Sequence, residues 1–393
     1  MSSLGGYPLE GIRVVEFTHM IMGPACGLVL ADLGADVIKV EPAPEGDNTR
    51  RLTGMGAGFF AAFNRNKRSL TVDLKSAGGI ALVRRLIAGA DALIENFRPG
   101  AMEKLGLGYQ ALSAENPRLI YCSCKGFLPG PYEHRVALDE VVQMMGGLAY
   151  MTGLPGKPLR TGSSVNDIMG GMFGAIGILA ALIERSRTGR GKHVQVGLFE
   201  NNALLMAQHM ALIAVTGAEP EPMGVRKPAW PVYDLFETAD GEQLFVGVVT
   251  DTQWRLFCDA FGLADLGSDS SLATAAQRVA GRDRTIPGIA EVLNQYTRPA
   301  LMRRCEELGL PYAPVGKPGD LFDDPHLRGS GGLVPTTLPD GKQTALPALP
   351  IAMDGARPGI RRDVPKAGEH NEEIAEETGV APGSNSSKPI RSN

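Results

Sequence analysis

Asp167 opens an apolar run, SSVNDIMGGMFGAIGILAALIE. An acid at a helix start either caps the helix or sits ionised in its positive field, where a carboxylate can act as a nucleophile. Gly170, Gly171, Gly174 and Gly177 follow at three- and four-residue spacing. They give the helix one bare face that a second helix, a backbone or a bulky acyl group could approach. His19 falls in the loop THMIM, expected at the carboxyl end of a first strand, where open α/β sheets place ligands.

Other chemistries lack their residues. The six histidines show neither H-x-x-x-H nor H-E-x-x-H spacing, and no G-x-S-x-G elbow occurs, so metalloenzyme and serine-hydrolase readings fall away. Glu41 ends a second apolar run as the acid of a dinucleotide-binding unit would, but the crossover THMIMGPACG has no G-x-G-x-x-G. Gly54, Gly56 and Gly58 lie outside any strand-to-helix crossover and read as a mobile loop. The five cysteines (Cys26, Cys122, Cys124, Cys258, Cys305) are odd in number and scattered. Cys122 and Cys124 have strand spacing but no partner pair to complete a zinc site, so buried free thiols in a cytoplasmic protein are expected. No redox or metal cofactor is expected. The balance of 39 Lys+Arg against 43 Asp+Glu lacks the basic excess that nucleic acid binding needs. Apolar stretches such as Ile168–Ile183 are broken by glycines and too short to span a bilayer, so no membrane contact is expected.

These residues need a scaffold, and 393 residues favour two domains. Residues 12–16 and 36–40 read as strands around a helix from Gly23-Pro24 to about Leu33, with Pro24 at its first position and Gly34 as its stop. A helix near 78–88, a strand at 92–95, a short helix from Ala101 and a strand at 119–123 continue an α/β sheet. An apolar helix-like segment at 138–150 precedes the glycine-faced helix, expected over 167–185. The alternating run HVQVGLF and a second apolar helix over 200–215 follow. Ala239-Asp240-Gly241-Glu242 marks a hairpin between 232–237 and 243–248; helices then run to about Leu308, and short strands surround Asp340-Gly341.

The segments LEGIRVVEFTHMIMGPACGLVLADLGADVIKVEP, NRNKRSLTVDL, ENFRPGAMEKLGLGY, CKGFLPGPYEHR and SVNDIMGGMFGAIGILAALIERSRTGRGKHVQVGLFE together resemble the class III CoA-transferase family, which includes formyl-CoA and carnitine CoA-transferases. The likeness is dense over residues 8–215 and looser to about 375. It implies an α/β fold with an open Rossmann-like sheet in a large domain, a smaller α+β domain, and an interlocked homodimer. Combined with the texture of the chain, it sets a large CoA-binding domain at 1–215, a linker at 216–230, a small domain at 231–328, a return segment at 329–380 and a disordered tail at 381–393. It implies acyl-CoA as substrate and Asp167 as a nucleophile forming an acyl anhydride and then an aspartyl-CoA thioester. His19 and Met20 would line the adenosine end of CoA, Asn96 and Phe97 would contact the nucleotide, and Lys104 would neutralise a phosphate. Lys125, Gly126 and Phe127 would flank the pantetheine arm.

Where formyl-CoA transferases carry a glutamine two residues after the first-loop histidine, this chain has Ile21. Their glycine run before the small-domain hairpin is replaced by MGVRKPAW. Formyl and oxalate are therefore not the expected substrates. A carboxylate acceptor needs a cation, and Arg160, Arg226 and Lys227 are the candidates. The family's 2-methylacyl-CoA racemases carry a histidine just before a second aspartate, where this chain has Leu138 before Asp139. Leucine transfers no proton, and His134 stands four residues too early. The reading is a CoA-transferase moving CoA from a thioester, with succinyl-CoA as one donor, to a free carboxylate. A racemase and a non-catalytic acyl-CoA-binding protein are the alternatives.

Overall fold

A computed structural model describes residues 6–225 and 228–379; the expected tail at 381–393 lies outside them. Six parallel strands form the main sheet: β1 (Arg13–Phe17), β2 (Asp36–Pro42), β3 (Lys67–Val72), β4 (Ala92–Glu95), β5 (Ile120–Lys125) and β6 (His193–Gly197). Their order is β3-β2-β1-β4-β5-β6, the doubly wound arrangement that reverses direction between β1 and β4. Apolar cores fill both faces of the sheet, one around Val14, Ile94 and Cys122 and the other around Val15, Leu93 and Tyr121. Adjacent residues of one strand thus serve opposite cores, as the two-residue period of a strand requires.

The apolar runs at 12–16, 36–40 and 92–95 are strands, as their residues predict. β3 is not legible in this way, because it opens with Lys67 and Arg68, which read as surface. Both are buried: Lys67 Nζ lies 2.9 Å from Glu16 Oε1, and Arg68 pairs with Asp36 and Glu377 at 2.6 Å each. The outer edge of β3 is covered by the returning chain. The His370 amide donates to the Ser69 carbonyl at 3.1 Å, and the Thr71 amide donates to Asn371 Oδ1 at 2.9 Å, which occupies groups an open edge would expose.

The first crossover helix is Met22–Asp32, with Pro24 at its third position rather than its first; an amide there is unpaired in either case. Gly34, at φ 111°, turns the chain out of it. The glycine-faced helix runs Val165–Thr188. By length and composition it could cross a membrane, but its bare face is occupied by protein. A Cβ on Gly171 would stand 2.6 Å from Ala25 Cβ and 2.7 Å from the Met22 carbonyl. Gly170 and Gly174 meet the same Met22–Asp32 helix, and Gly177 meets Val194 of β6. Close packing, not an acyl group, therefore fills the bare face. Cys26 and Cys122 lie beneath Gly174, and all five cysteines are buried and free.

Two expected helices are each two. The segment at 138–150 divides into Asp139–Met145 and Leu148–Thr152 at Gly147, whose φ is 86°. The segment at 200–215 divides into Leu198–Leu205 and Ala207–Thr216 at Met206. Gly54–Gly56 form a short 3-10 turn ahead of helix Phe59–Phe63.

The chain divides into two compact units, one combining the chain up to Gly224 with the chain from Pro325, the other Val225–Asp324. The second unit holds the antiparallel strands β7 (Val232–Glu237), β8 (Gln243–Val248) and β9 (Tyr312–Pro314), packed with helices around Trp254, Phe257 and Ile289. β10 (Leu333–Thr337) and β11 (Gln343–Pro347) pair around Asp340-Gly341.

Candidate active site

The order reversal brings the loops after β1 and β4 together. Asn96, just beyond β4, brackets the loop after β1: the His19 amide donates to Asn96 Oδ1 at 3.0 Å, and Asn96 Nδ2 donates to the His19 carbonyl at 2.8 Å. The same junction opens a cavity of about 270 Å³ lined by His19, Met20, Asn96, Lys125, Gly126, Asp139, Arg160 and Asp167. That is small for a complete ligand pocket and suits the reacting end of a larger molecule.

Asp167 stands in the first turn of the Val165–Thr188 helix, but it is not the cap. Asp139 fills that role: its Oδ2 accepts the amides of Asn166 at 2.8 Å and Asp167 at 3.2 Å. The Asp139 carboxylate is buried, with Gln143 donating to its other oxygen. Burial first, and the like charge of Asp139 second, push the Asp167 carboxyl up to about 7, against a weaker downward pull from Arg160. A helix start alone would hold an acid ionised; here desolvation and a facing carboxylate outweigh the helix field. Asp167 can therefore take up and release a proton near neutrality, and as a carboxylate it is poorly solvated and reactive.

Behind the His19–Met20 loop the buried charge is compensated. Lys39 Nζ lies 3.0 Å from Asp47 Oδ2 and donates to the Thr18 carbonyl at 2.6 Å. Lys67 donates to Glu16 and to the Pro24 carbonyl, both at 2.9 Å. Burial works to raise the carboxyls of Glu41 and Asp47, yet Arg50 and Lys39 beside them hold both below the usual range.

Of the residues singled out in the sequence, His19, Met20, Asn96, Lys125, Gly126, Arg160 and Asp167 meet in this cavity. Lys125 is bound to Glu95 at 2.6 Å and to the Phe97 carbonyl at 3.2 Å. The Phe97 ring lies 5.8 Å from that of His19, behind the lining. Phe127 is buried against Tyr132 and Phe199 and faces a neighbouring cavity. Lys104 projects outward from helix Ala101–Lys104 and lines neither cavity. Arg226 and Lys227 lie outside the described residues. Leu138 borders the Asp167 cavity, whereas His134 pairs with Glu133 at 3.1 Å beside the neighbouring one, so no histidine takes the racemase position. Asp139 is the neighbour of Asp167 that the sequence does not reveal as such. It was visible only as the acid after Leu138, with no local sign that it meets Asp167.

Residues 9–371 match the family model described as CoA-transferase family III. A succinate–glutarate CoA-transferase of Agrobacterium fabrum is 36% identical over 94% of this chain and 95% of its own. A succinyl-CoA:mesaconate CoA-transferase of Haloarcula hispanica is 34% identical over 96% and 98%. Among solved structures, a CAIB/BAIF family protein from Brucella suis superposes with TM-score 0.84 at 36% identity, covering 95% of this chain and all of that one. A hypothetical protein of Mycobacterium tuberculosis gives TM-score 0.82 at 30% identity, over 94% and 99%. The chain belongs to CoA-transferase family III and is an enzyme of that class.

Proposed function

We propose that this enzyme moves CoA from an acyl-CoA thioester to a free dicarboxylate through covalent intermediates on Asp167. The observation that carries the reading is a half-buried carboxyl, pushed up to about 7, at the mouth of the sheet's order reversal. An Asp167 oxygen attacks the donor's thioester carbon; the C–S bond breaks, and CoA leaves as thiolate. The thiolate attacks the aspartyl carbon of the resulting anhydride, releasing the donor acid and leaving an aspartyl-CoA thioester. The acceptor carboxylate displaces CoA again, and thiolate attack on the acceptor's carbonyl regenerates Asp167. Overall one thioester is broken and one is formed, so the cycle needs no other energy source.

The cavity wall is acidic, with Asp139, Glu140 and Asp167, and would repel an anionic acceptor. Arg160 offsets this: its Nε donates to the Thr161 carbonyl at 3.2 Å, while its two terminal nitrogens stand 3.7 Å from Asp139 and Glu140, too far for a good hydrogen bond, and are left for a carboxylate. Succinyl, glutarate and mesaconate in the relatives' names support succinyl-CoA as donor and a dicarboxylate as acceptor. Two features support a homodimer. Helix Ala207–Thr216 has no buried residue, and the Val165–Thr188 helix exposes Met172, Ile176 and Ile183 on one stripe. Buried free thiols support a cytoplasmic location.

Asp167→Asn is the test. With succinyl-CoA, wild-type enzyme quenched in acid should carry CoA mass on the peptide containing Asp167. The variant should carry none, turn over at least ~1,000-fold more slowly and still bind CoA. Appreciable exchange by the variant would sink the covalent role.

A further inference from the structure

Met20 has a left-handed backbone, at φ 62°. The other non-glycine residues with positive φ among those described are Asn66 and Asp354, types that tolerate the conformation; a methionine has no such licence and must be held there. The restraints are specific. The Met20 amide donates to Thr49 Oγ1 at 3.1 Å, and the Thr49 hydroxyl donates to Asp47 Oδ1 at 2.7 Å. With its only proton committed to Asp47, that hydroxyl presents a lone pair to Met20. Asp47 is itself locked by Lys39, whose ammonium also takes the Thr18 carbonyl. One rigid unit therefore grips the chain on both sides of His19, and both Thr49 and Asp47 are buried.

We propose that Thr49, clamped by Asp47, is a positioning residue that holds Met20 left-handed and so sets the His19–Met20 wall of the acyl-CoA cavity. Thr49 and Asp47 do not line the cavity; His19 and Met20 do. Without the clamp, the loop relaxes toward an ordinary backbone and the wall that meets CoA is lost from most molecules, which appears as weakened binding rather than slowed chemistry. The inference rests on the acyl-CoA reading of the site.

The test uses the full chain, with free CoA measured by calorimetry and succinyl-CoA by kinetics. Thr49→Ala should weaken CoA binding and raise KM about tenfold, the scale of one lost hydrogen bond, with kcat within about threefold of wild type. Thr49→Ser, which keeps the hydroxyl, should stay within about threefold in both. A second pair is independent of Thr49. Met20→Asn and Met20→Val both remove the thioether, but asparagine tolerates a left-handed backbone and a β-branched valine does not, so the valine variant should bind CoA about tenfold more weakly than the asparagine variant. If Thr49→Ala fails to fold by circular dichroism, the Met20 pair decides. Equal losses for Asn and Val, or CoA binding unchanged in folded Thr49→Ala, overturn the proposal while leaving the function in place. Wild-type protein that binds no CoA overturns both.

Discussion

Two regions beside one cavity handle buried charge in opposite ways. Under the His19–Met20 loop every charge faces its opposite: Glu16 with Lys67, Asp47 with Lys39, Glu41 with Arg50. At the start of the Val165–Thr188 helix two carboxyls of like sign face each other, Asp139 and Asp167, with Arg160 only at long range. Burial costs both regions, but in the first the facing cations hold Glu41 and Asp47 below the usual carboxylate range, and burial pushes the Lys67 ammonium down only to about 8 against the pull of Glu16. In the second only Arg160 at long range opposes it, and Asp167 rises to about 7. Facing cations hold a buried carboxyl below its ordinary range, whereas burial beside a like charge pushes one up.

Breaking the compensation gives the largest effect. Glu16→Ala strands the Lys67 ammonium in the core and should cost about 3–5 kcal/mol of stability by chemical denaturation, with little dependence on salt. A loss that salt largely abolishes would show that the pair behaves as a surface pair.

Removing the uncompensated charge should do the reverse. The folded enzyme holds a proton on Asp167 up to about pH 7, while the unfolded chain releases it near 4. The stabilising contribution of that proton is complete below about pH 4 and is lost as pH rises through 7. Asp167→Asn should therefore be about 2–4 kcal/mol more stable than wild type at pH 8, the gain narrowing to nothing toward pH 4. Equal stability at pH 8 would mean that Asp167 is as well solvated as a surface acid.

Finer changes move the reactivity itself. If Asp167 must ionise to attack, kcat/KM should rise with pH through about 7. Asp139→Asn removes the facing charge and should move that limb down by about one pH unit. Arg160→Gln removes the attraction and should move it up by less, about half a unit, because the guanidinium is partly solvated and screened. It should also raise KM for a dicarboxylate acceptor. Two shifts in the same direction would break the electrostatic account.

Much of the scaffold was legible because it depends on near neighbours. The apolar runs at 92–95, 232–237 and 243–248, and the Asp-Gly steps at 240–241 and 340–341, state a strand or a turn within a few residues. β3 was hidden because Lys67 and Arg68 are buried only by partners as distant in sequence as Glu16 and Glu377. The division of the 200–215 segment at Met206 was equally hidden, since its apolar pattern continues across the break.

The candidate site divides along the same line. A position for His19 at the end of a first strand, and for Asp167 at a helix start, follows from local pattern, and the sequence by itself determined both. It also determined that the glycine face would be bare. What filled that face, and whether Asp167 would be held ionised or pushed up, only the tertiary structure decided. Asp139 lies 28 residues from Asp167 in the chain, and it takes the helix cap and supplies the facing charge only after folding. A proton affinity sums the desolvation and charges of whatever packs around a group, and local sequence does not contain that sum.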